Sequence, residues 1–147
     1  MFTAIRRFLA SVLGVAVFAS VLHAAPSRQP EAVFVMTNNA DHNQILSFSR
    51  NSDGTFSAGP SYETGGRGSG GINDPLESQA SLTLSTDHSF LFAVNAGSGD
   101  VTVFRVHDGR LSFADREATG GSNPVAITQR QNLVYVLNQG GAGSDCR

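Results

Sequence analysis

The sequence predicts an all-β fold for the chain that follows Ala25. Short runs of β-branched, aromatic and aliphatic residues recur there, separated by clusters of Gly, Asp, Ser and Asn. Such runs and clusters are typical of strands joined by tight turns. The same succession of strands returns along the chain, and no convincing helical pattern follows the N-terminal segment. We therefore expect a series of similar antiparallel sheets.

The clearest unit is the stretch from Ser81 to Val106, SLTLSTDHSFLFAVNAGSGDVTVFRV, which divides into three short strands. In its middle strand, FLFAVN, Phe90 and Phe92 point to one face while Leu91 points to the other. Both faces of this strand are apolar, and a strand of that kind is normally covered on both sides. This pattern predicts sheets that stack on one another.

The unit repeats along the chain. Placing Phe92 on Tyr135 superposes FLFAVN on LVYVLN at an offset of 43 residues, which also puts Leu84 on Ile127. Upstream, AVFVMTN matches the same strand, and the motifs DG and TGG recur at an offset of 55. The larger offset is accounted for by a Gly-rich insert at residues 67–78. A four-stranded unit of about 40–45 residues is the period of a β-propeller blade.

The predicted units differ in completeness. Unit one (32–66) has strands near 32–37, 45–50 and 55–64, unit two (79–121) near 81–85, 90–95, 101–106 and 111–118, and unit three (122–147) near 124–128 and 132–138. We therefore predict between two and two and a half four-stranded blades within residues 32–147. That number cannot close a ring, so either further blades or self-association must cover the exposed blade faces.

The N-terminus has the features of a secretory signal. Arg6 and Arg7 precede an uncharged, mostly apolar run from Phe8 to Leu22, and small residues follow. We predict a signal peptide at residues 1–24, a polar linker at 25–31, and a secreted or periplasmic protein that meets the membrane only through the signal segment. The alternative is an uncleaved membrane anchor, since the run is only slightly short of a span.

Composition excludes several function classes. The net charge of −2 argues against a nucleic-acid partner, and all ten basic residues are arginine, so no lysine is available for Schiff-base chemistry. The single Cys146 excludes an internal disulfide and a multi-cysteine zinc site. We expect neither a cofactor nor a metal. A calcium site formed by scattered aspartates would need Asp41, Asp74 and Asp100 to meet.

The repeated LFAVN…VTVF and DG motifs, with LVYVLNQGG, resemble the lactonase family of seven-bladed β-propellers, over essentially all of residues 32–143. The resemblance implies a hydrolase that opens a sugar or carboxylated lactone, as the propeller-type 6-phosphogluconolactonases do. It implies an active site on one face of the ring, and it implies that this chain is an inactive truncated piece with an expected seven blades in the complete ring. The alternative from another class is a secreted, non-catalytic propeller that binds a protein or a glycan.

Loop positions indicate which face holds a ligand. In an up-and-down meander, the loops that follow the second and fourth strands fall on one side, and here these loops are the longer, Gly- and Asn-rich ones. The insert is the best candidate, because its glycines let backbone N–H groups approach an anion and Arg67 can hold a carboxylate or phosphate. For lactone hydrolysis, Arg67 would polarise the carbonyl while Asp74 or Glu77 activates water. The alternative is a flexible surface loop.

Six further residues of this side are predicted to bind the ligand. They are Asn38, His42, Asn73, Gln79, Asn95 and Asn138. His42 could act as a base or could be a solvated loop residue. Asn95 and Asn138 end equivalent strands, so they either line a pocket or cap their own loops. The insert also matches G-x-G-x-x-G, but Pro75 follows and no βαβ unit surrounds it, so dinucleotide binding is not indicated.

Overall fold

The computed structural model describes residues 31–71 and 79–141. Within these ranges nine strands form three antiparallel sheets and no helix occurs, so the predicted all-β fold is confirmed. No helix in the described ranges is long and apolar enough to cross a bilayer. The predicted signal peptide and nearly all of the linker lie outside the described residues, as do Asn73, Asp74, Glu77 and Cys146.

The first sheet contains three strands in the order β1-β2-β3. They are β1 (Ala32–Met36), β2 (Gln44–Arg50) and β3 (Phe56–Glu63). The β2–β3 hairpin turns at the predicted Asp-Gly pair, where Gly54 adopts a φ of 87°. That conformation is open to glycine without steric cost, which explains why the turn forms there.

The second sheet is the complete unit, with four strands in the order β4-β5-β6-β7. They are β4 (Leu82–Leu84), β5 (Phe90–Asn95), β6 (Asp100–His107) and β7 (Arg110–Ala118). Strand β5 is buried along most of its length, as its apolar faces predict.

The third sheet pairs β8 (Ser122–Arg130) with β9 (Leu133–Gly140). The offset of 43 residues holds for β9 but is wrong for β8, where the turn before β9 is two residues shorter than the equivalent turn before β5 and where a register shift also lies between Pro124 and Ala126. Ile127 consequently pairs with Val136. Proline has no backbone N–H to give to a ladder, so a bulge beside Pro124 is the expected accommodation.

The three sheets pack face to face, and two hydrophobic clusters fill the spaces between them. Between the first and second sheets lies a cluster of Ile45, Leu91, Ala93, Phe104 and Leu111. Between the second and third sheets lies a cluster of Phe92, Val94, Val101 and Ile127. Alternate residues of β5 therefore enter different clusters, which is why this strand has no polar face.

The loops collect on the two predicted sides. On one side, which we call the loop face, lie the loops at 37–43, 64–71, 96–99 and 119–121, joined by the hydrogen bonds described below. On the other side, the turns at His88 and Asp108 border a groove of about 770 Å³ that is also lined by Ala32 and Phe34 of β1.

Candidate functional site

A buried hydrogen-bond network lies under the loop face where the first and second sheets meet. The side-chain amide of Asn43 donates to Oδ1 of Asn95 at 2.8 Å, and both residues have no exposed surface. Nδ2 of Asn95 donates in turn to Oδ1 of Asp100 at 2.7 Å and to Oγ1 of Thr102 at 2.9 Å. Thr102 completes the link by donating to the backbone oxygen of Thr64 at 2.8 Å. The network therefore fixes the start of the loop that follows β3.

The loop start is a Thr-Gly-Gly turn that fits closely around Asn95. The hydroxyl of Thr64 donates to the backbone oxygen of Asn43 at 2.8 Å and accepts from the backbone N–H of Gly66 at 3.1 Å. A Cβ on Gly66 would overlap the side-chain amide of Asn95. Only glycine leaves room for the asparagine at this position.

The same turn recurs one unit later, where it meets the equivalent asparagine. Oγ1 of Thr119 donates to Oδ1 of Asn138 at 2.8 Å, and a Cβ on Gly121 would lie 2.6 Å from Cγ of Asn138. In both places, the TGG turn that ends one sheet therefore contacts an asparagine of the next sheet. Asn95 and Asn138 both serve this contact, and their predicted role in ligand binding stays a prediction.

An ion pair secures the outer edge of the network. Nη2 of Arg116 lies 2.9 Å from Oδ2 of Asp100, whose side chain is 7% exposed, and Nη1 of Arg116 donates to the backbone oxygen of Gly65. Burial raises the pKa of Asp100, but hydrogen bonds from Arg116, Asn95 and Ser98 and the arginine charge outweigh it, so the pKa is lowered from 3.8. The hydrogen bond with Asp100 raises the pKa of Arg116. Asp100 is therefore held as a carboxylate by the positive charge of Arg116.

The Gly-rich segment, residues 65–71, is tied to the first unit through Asn38. Oδ1 of Asn38 accepts from the backbone N–H of Ser69 at 2.8 Å, and its Nδ2 donates to Oγ of Ser69 at 2.8 Å. The backbone N–H groups of Gly68 and Gly70 donate to the backbone oxygens of Asn39 and Asn38 at 2.7 and 3.0 Å. This part of the insert is therefore anchored to the loop that follows β1.

The same segment is tied to the second unit through Arg67. Its backbone N–H donates to Oγ of Ser98 at 2.9 Å, and its backbone oxygen accepts from the N–H of Gly97 at 2.9 Å. The guanidinium is exposed, reaches the Gly97 oxygen only at 3.4 Å, and forms no ion pair with any described residue. Arg67 is thus placed by its backbone while its charge stays available on the loop face.

The remaining predicted site residues lie around this segment. His42 is exposed, and its backbone N–H donates to Oδ1 of Asn39 at 3.1 Å, while Asn39 also accepts from Gly68. His42 and the Gly-rich segment therefore share one anchor. Gln79, which follows the undescribed residues 72–78 in the sequence, is exposed. Within 31–71 and 79–141, no group of acidic, histidine or cysteine residues could hold a metal ion.

The residues that organise the loop face were not predicted from the sequence to do so. These are Asn43, Thr64, Asp100, Thr102 and Arg116. The repeat of TGG was visible and could have singled out the threonine. The partners of that turn are distant in the sequence, with 21 residues from Thr64 to Asn43 and 38 from Thr64 to Thr102, and no local pattern predicts such contacts.

The model of the lactonase family, described as a seven-bladed β-propeller, matches residues 23–142. No curated protein and no solved structure matches the chain. The matched range covers all nine strands and the loop face.

Proposed function

Since the chain belongs to the lactonase family of seven-bladed β-propellers, we propose that the protein hydrolyses a lactone ring, with a sugar lactone or a carboxylated lactone as substrate. The observation that carries the proposal is the anchored Gly-rich segment. It spans two neighbouring sheets on one face and displays there the exposed guanidinium of Arg67, which forms no ion pair with the described residues. A rigid scaffold that presents a charged loop residue is the usual construction of a binding site.

Ester hydrolysis needs charge stabilisation and a water that has lost a proton. Water adds to the ring carbonyl, the carbonyl oxygen becomes negative, and cleavage of the ring C–O bond releases a hydroxy acid after proton transfer to the alkoxide. We assign Arg67 to the negative charge, either on a substrate carboxylate or phosphate or on the developing oxyanion. Among the described residues His42 is the candidate base, because it is exposed beside the same anchor.

Arginine is suited to this role because its charge does not depend on pH and its planar fork matches a carboxylate or phosphate. Two other arginines are already engaged in ion pairs: Arg50 pairs with Glu31 and Arg116 with Asp100, each at 2.9 Å. Asp74 and Glu77 stay sequence predictions for water activation.

The test is a hydrolysis assay of the full-length protein on a panel of neutral, carboxylated and phosphorylated lactones. The reaction rate is measured from the release of the hydroxy acid product. We expect Arg67→Ala to lower kcat/KM by about 100-fold, and Arg67→Lys to lose less because it keeps the charge. Arg110→Ala is the matched control, since Arg110 is exposed in the hairpin at the opposite end of the second sheet.

Two results would count against the proposal. Unchanged kinetics in Arg67→Ala would remove this residue from the mechanism. Failure to hydrolyse any lactone would overturn the activity and favour the non-catalytic alternative, a propeller that binds a protein or a glycan.

A further inference from the structure

The loop that follows β5, residues 96–99, supports the backbone of Arg67 and is itself held by the core. The backbone oxygen of Asn95 accepts from the N–H groups of Ser98 and Gly99 at 3.3 and 2.9 Å, which closes the loop into a tight turn. Asn95 has no exposed surface, and its side chain lies in the buried network described above. Whatever this loop contacts is therefore held against a fixed part of the second sheet.

Glycine at position 97 lets this loop meet the Gly-rich segment backbone to backbone. The N–H of Gly97 donates to the backbone oxygen of Arg67 at 2.9 Å. A Cβ on Gly97 would lie 2.2 Å from the backbone oxygen of Gly68 and 3.3 Å from that of Arg67. Because backbone atoms cannot give way as the end of a long side chain can, any larger residue at position 97 would push the segment away from the loop.

The hydroxyl of Ser98 makes the second contact, and a buried charge sets its direction. Oγ of Ser98 accepts from the backbone N–H of Arg67 at 2.9 Å and donates to the carboxylate of Asp100. An ionised carboxylate only accepts hydrogen bonds, so it takes the hydroxyl proton and leaves an oxygen lone pair for the Arg67 N–H. Arg116 pairs with Asp100 at 2.9 Å and also donates to the backbone oxygen of Gly65. The second sheet and its loop therefore hold the segment at three backbone atoms, two of them on Arg67.

We propose that Ser98 is a positioning residue, which holds the backbone of Arg67 so that its guanidinium meets the negative charge of the bound lactone at a fixed place. This inference rests on the proposed lactone hydrolysis. Among the described residues the guanidinium has one hydrogen bond, at 3.4 Å to the Gly97 oxygen, so its position depends mainly on the backbone of Arg67. A charge that is placed before the substrate arrives loses less entropy on binding, so Ser98 should contribute to kcat/KM without touching the substrate.

The first test compares Ser98→Ala with Ser98→Thr in the full-length protein, on the lactone that the unsubstituted protein hydrolyses best. Ser98→Ala removes the acceptor of the Arg67 N–H, and we expect kcat/KM to fall by about fivefold, the equivalent of one hydrogen bond. Ser98→Thr keeps the hydroxyl and should restore kcat/KM to within about twofold. Ser89→Ala is the matched control, because the Ser89 hydroxyl also donates to an aspartate, Asp87, at 2.7 Å but in a turn on the opposite side. Its kcat/KM should equal that of the unsubstituted protein.

A double-mutant cycle separates an action through Arg67 from a general effect on the structure. In an Arg67→Ala background, Ser98→Ala should have no further effect on kcat/KM, because the group that Ser98 positions is gone. The same loss with and without the Arg67 side chain would show a merely structural role and would overturn the proposal. Unchanged kcat/KM in Ser98→Ala alone would overturn it as well.

Gly97→Ala tests the same support by displacing it. The added methyl group would meet the backbone oxygen of Gly68, so kcat/KM should fall at least as far as in Ser98→Ala. This variant takes the place of Ser98→Ala in the cycle if circular dichroism shows that Ser98→Ala has lost its strand signal. Unchanged kcat/KM in Gly97→Ala would contradict the positioning role.

Hydrogen exchange separates a failure of this inference from a failure of the proposed function. We expect Ser98→Ala to accelerate exchange at the Arg67 amide by about fivefold or more, because that amide loses its acceptor, and to change exchange at the Val94 amide much less. If exchange at Arg67 is unchanged in a protein that hydrolyses lactones, the positioning role is overturned and the proposed function stands. If the unsubstituted protein hydrolyses no lactone, the proposed function is overturned, and with it the role of Ser98 in the reaction.

Discussion

The side-chain amide of Asn43 donates a 2.8 Å hydrogen bond to Oδ1 of Asn95 across the boundary between the first and second sheets. The two residues are 52 positions apart in the sequence, and neither has exposed surface. The surrounding interface is apolar, and an apolar interface alone tolerates sliding. A slide would leave these buried amides without partners, which is costly, so the pair defines how the sheets align.

Removal of the Asn95 side chain should destabilise the protein more than its size suggests. Asn95→Ala removes three hydrogen bonds. The Asn43 amide loses its acceptor, and the side-chain oxygens of Asp100 and Thr102 each lose a donor. We expect the free energy of unfolding to fall by about 2–4 kcal/mol, measured by urea denaturation. Asn132→Ala, an exposed turn position, should change it by no more than about 0.5 kcal/mol. Equal effects of the two substitutions would contradict a structural role for the buried amide.

The Thr-Gly-Gly turn gives a second prediction, which concerns space rather than hydrogen bonds. Gly66→Ala places a methyl group on the Asn95 amide and should cost about 2–3 kcal/mol of unfolding free energy. Gly120→Ala is the matched control, because nothing lies within 4 Å of its Cβ position and only its φ of 74° is unfavourable. That strain alone costs about 1 kcal/mol. Thermal unfolding of both variants decides the matter, and a milder effect at Gly66 would show that Asn95 can move aside.

Strand positions could be predicted because they depend on local patterns. The runs around Phe34, Phe92 and Tyr135 each carry apolar residues on both faces, and the structure places each in a strand. The exception is the strand before Tyr135, whose pairing is shifted because the turn before β9 is two residues shorter than the equivalent turn before β5. A sequence offset assumes turns of equal length, so it cannot anticipate such a shift.

The candidate site was predictable only in part. The alternation of loops in a meander placed Asn38, Arg67 and the loop after Asn95 on one side, and their hydrogen bonds confirm this. The ion pair of Asp100 and Arg116 was not visible in the sequence. Arg116 occupies a strand position that reads as solvent-facing, and its partner lies on the neighbouring strand, so only the sheet register brings them together.

The same ion pair predicts a pH dependence of stability. The folded-state pKa of Asp100 is lowered below its ordinary value of 3.8, so the stabilisation is fully present above that value and is lost as the pH falls through the folded pKa. Stability measured by urea denaturation should therefore decline below about pH 4. Asp100→Asn removes the titrating group and should flatten this part of the profile. The difference between the two profiles isolates Asp100 from Asp87, whose pKa is also lowered, to about 2. Parallel profiles would show that the pair does not contribute.

The anchor of the Gly-rich segment gives the last prediction, which separates local order from global stability. Asn38 has a φ of 53°, so alanine would add backbone strain, whereas Asn38→Gly removes the side chain and keeps this conformation accessible. The variant loses both hydrogen bonds to Ser69, and we expect amide exchange at Ser69 to accelerate by at least about tenfold, the equivalent of one lost hydrogen bond. Exchange at the Val94 amide, which bonds the Ser81 oxygen at 2.9 Å, reports on the core and should change much less.

Under the proposed function, a loosened segment should also raise KM for a carboxylated lactone, since Arg67 would no longer be held in one place. Acceleration of the same size at Val94 would mean that the substitution weakens the whole fold, and unchanged exchange at Ser69 would mean that Asn38 does not anchor the segment.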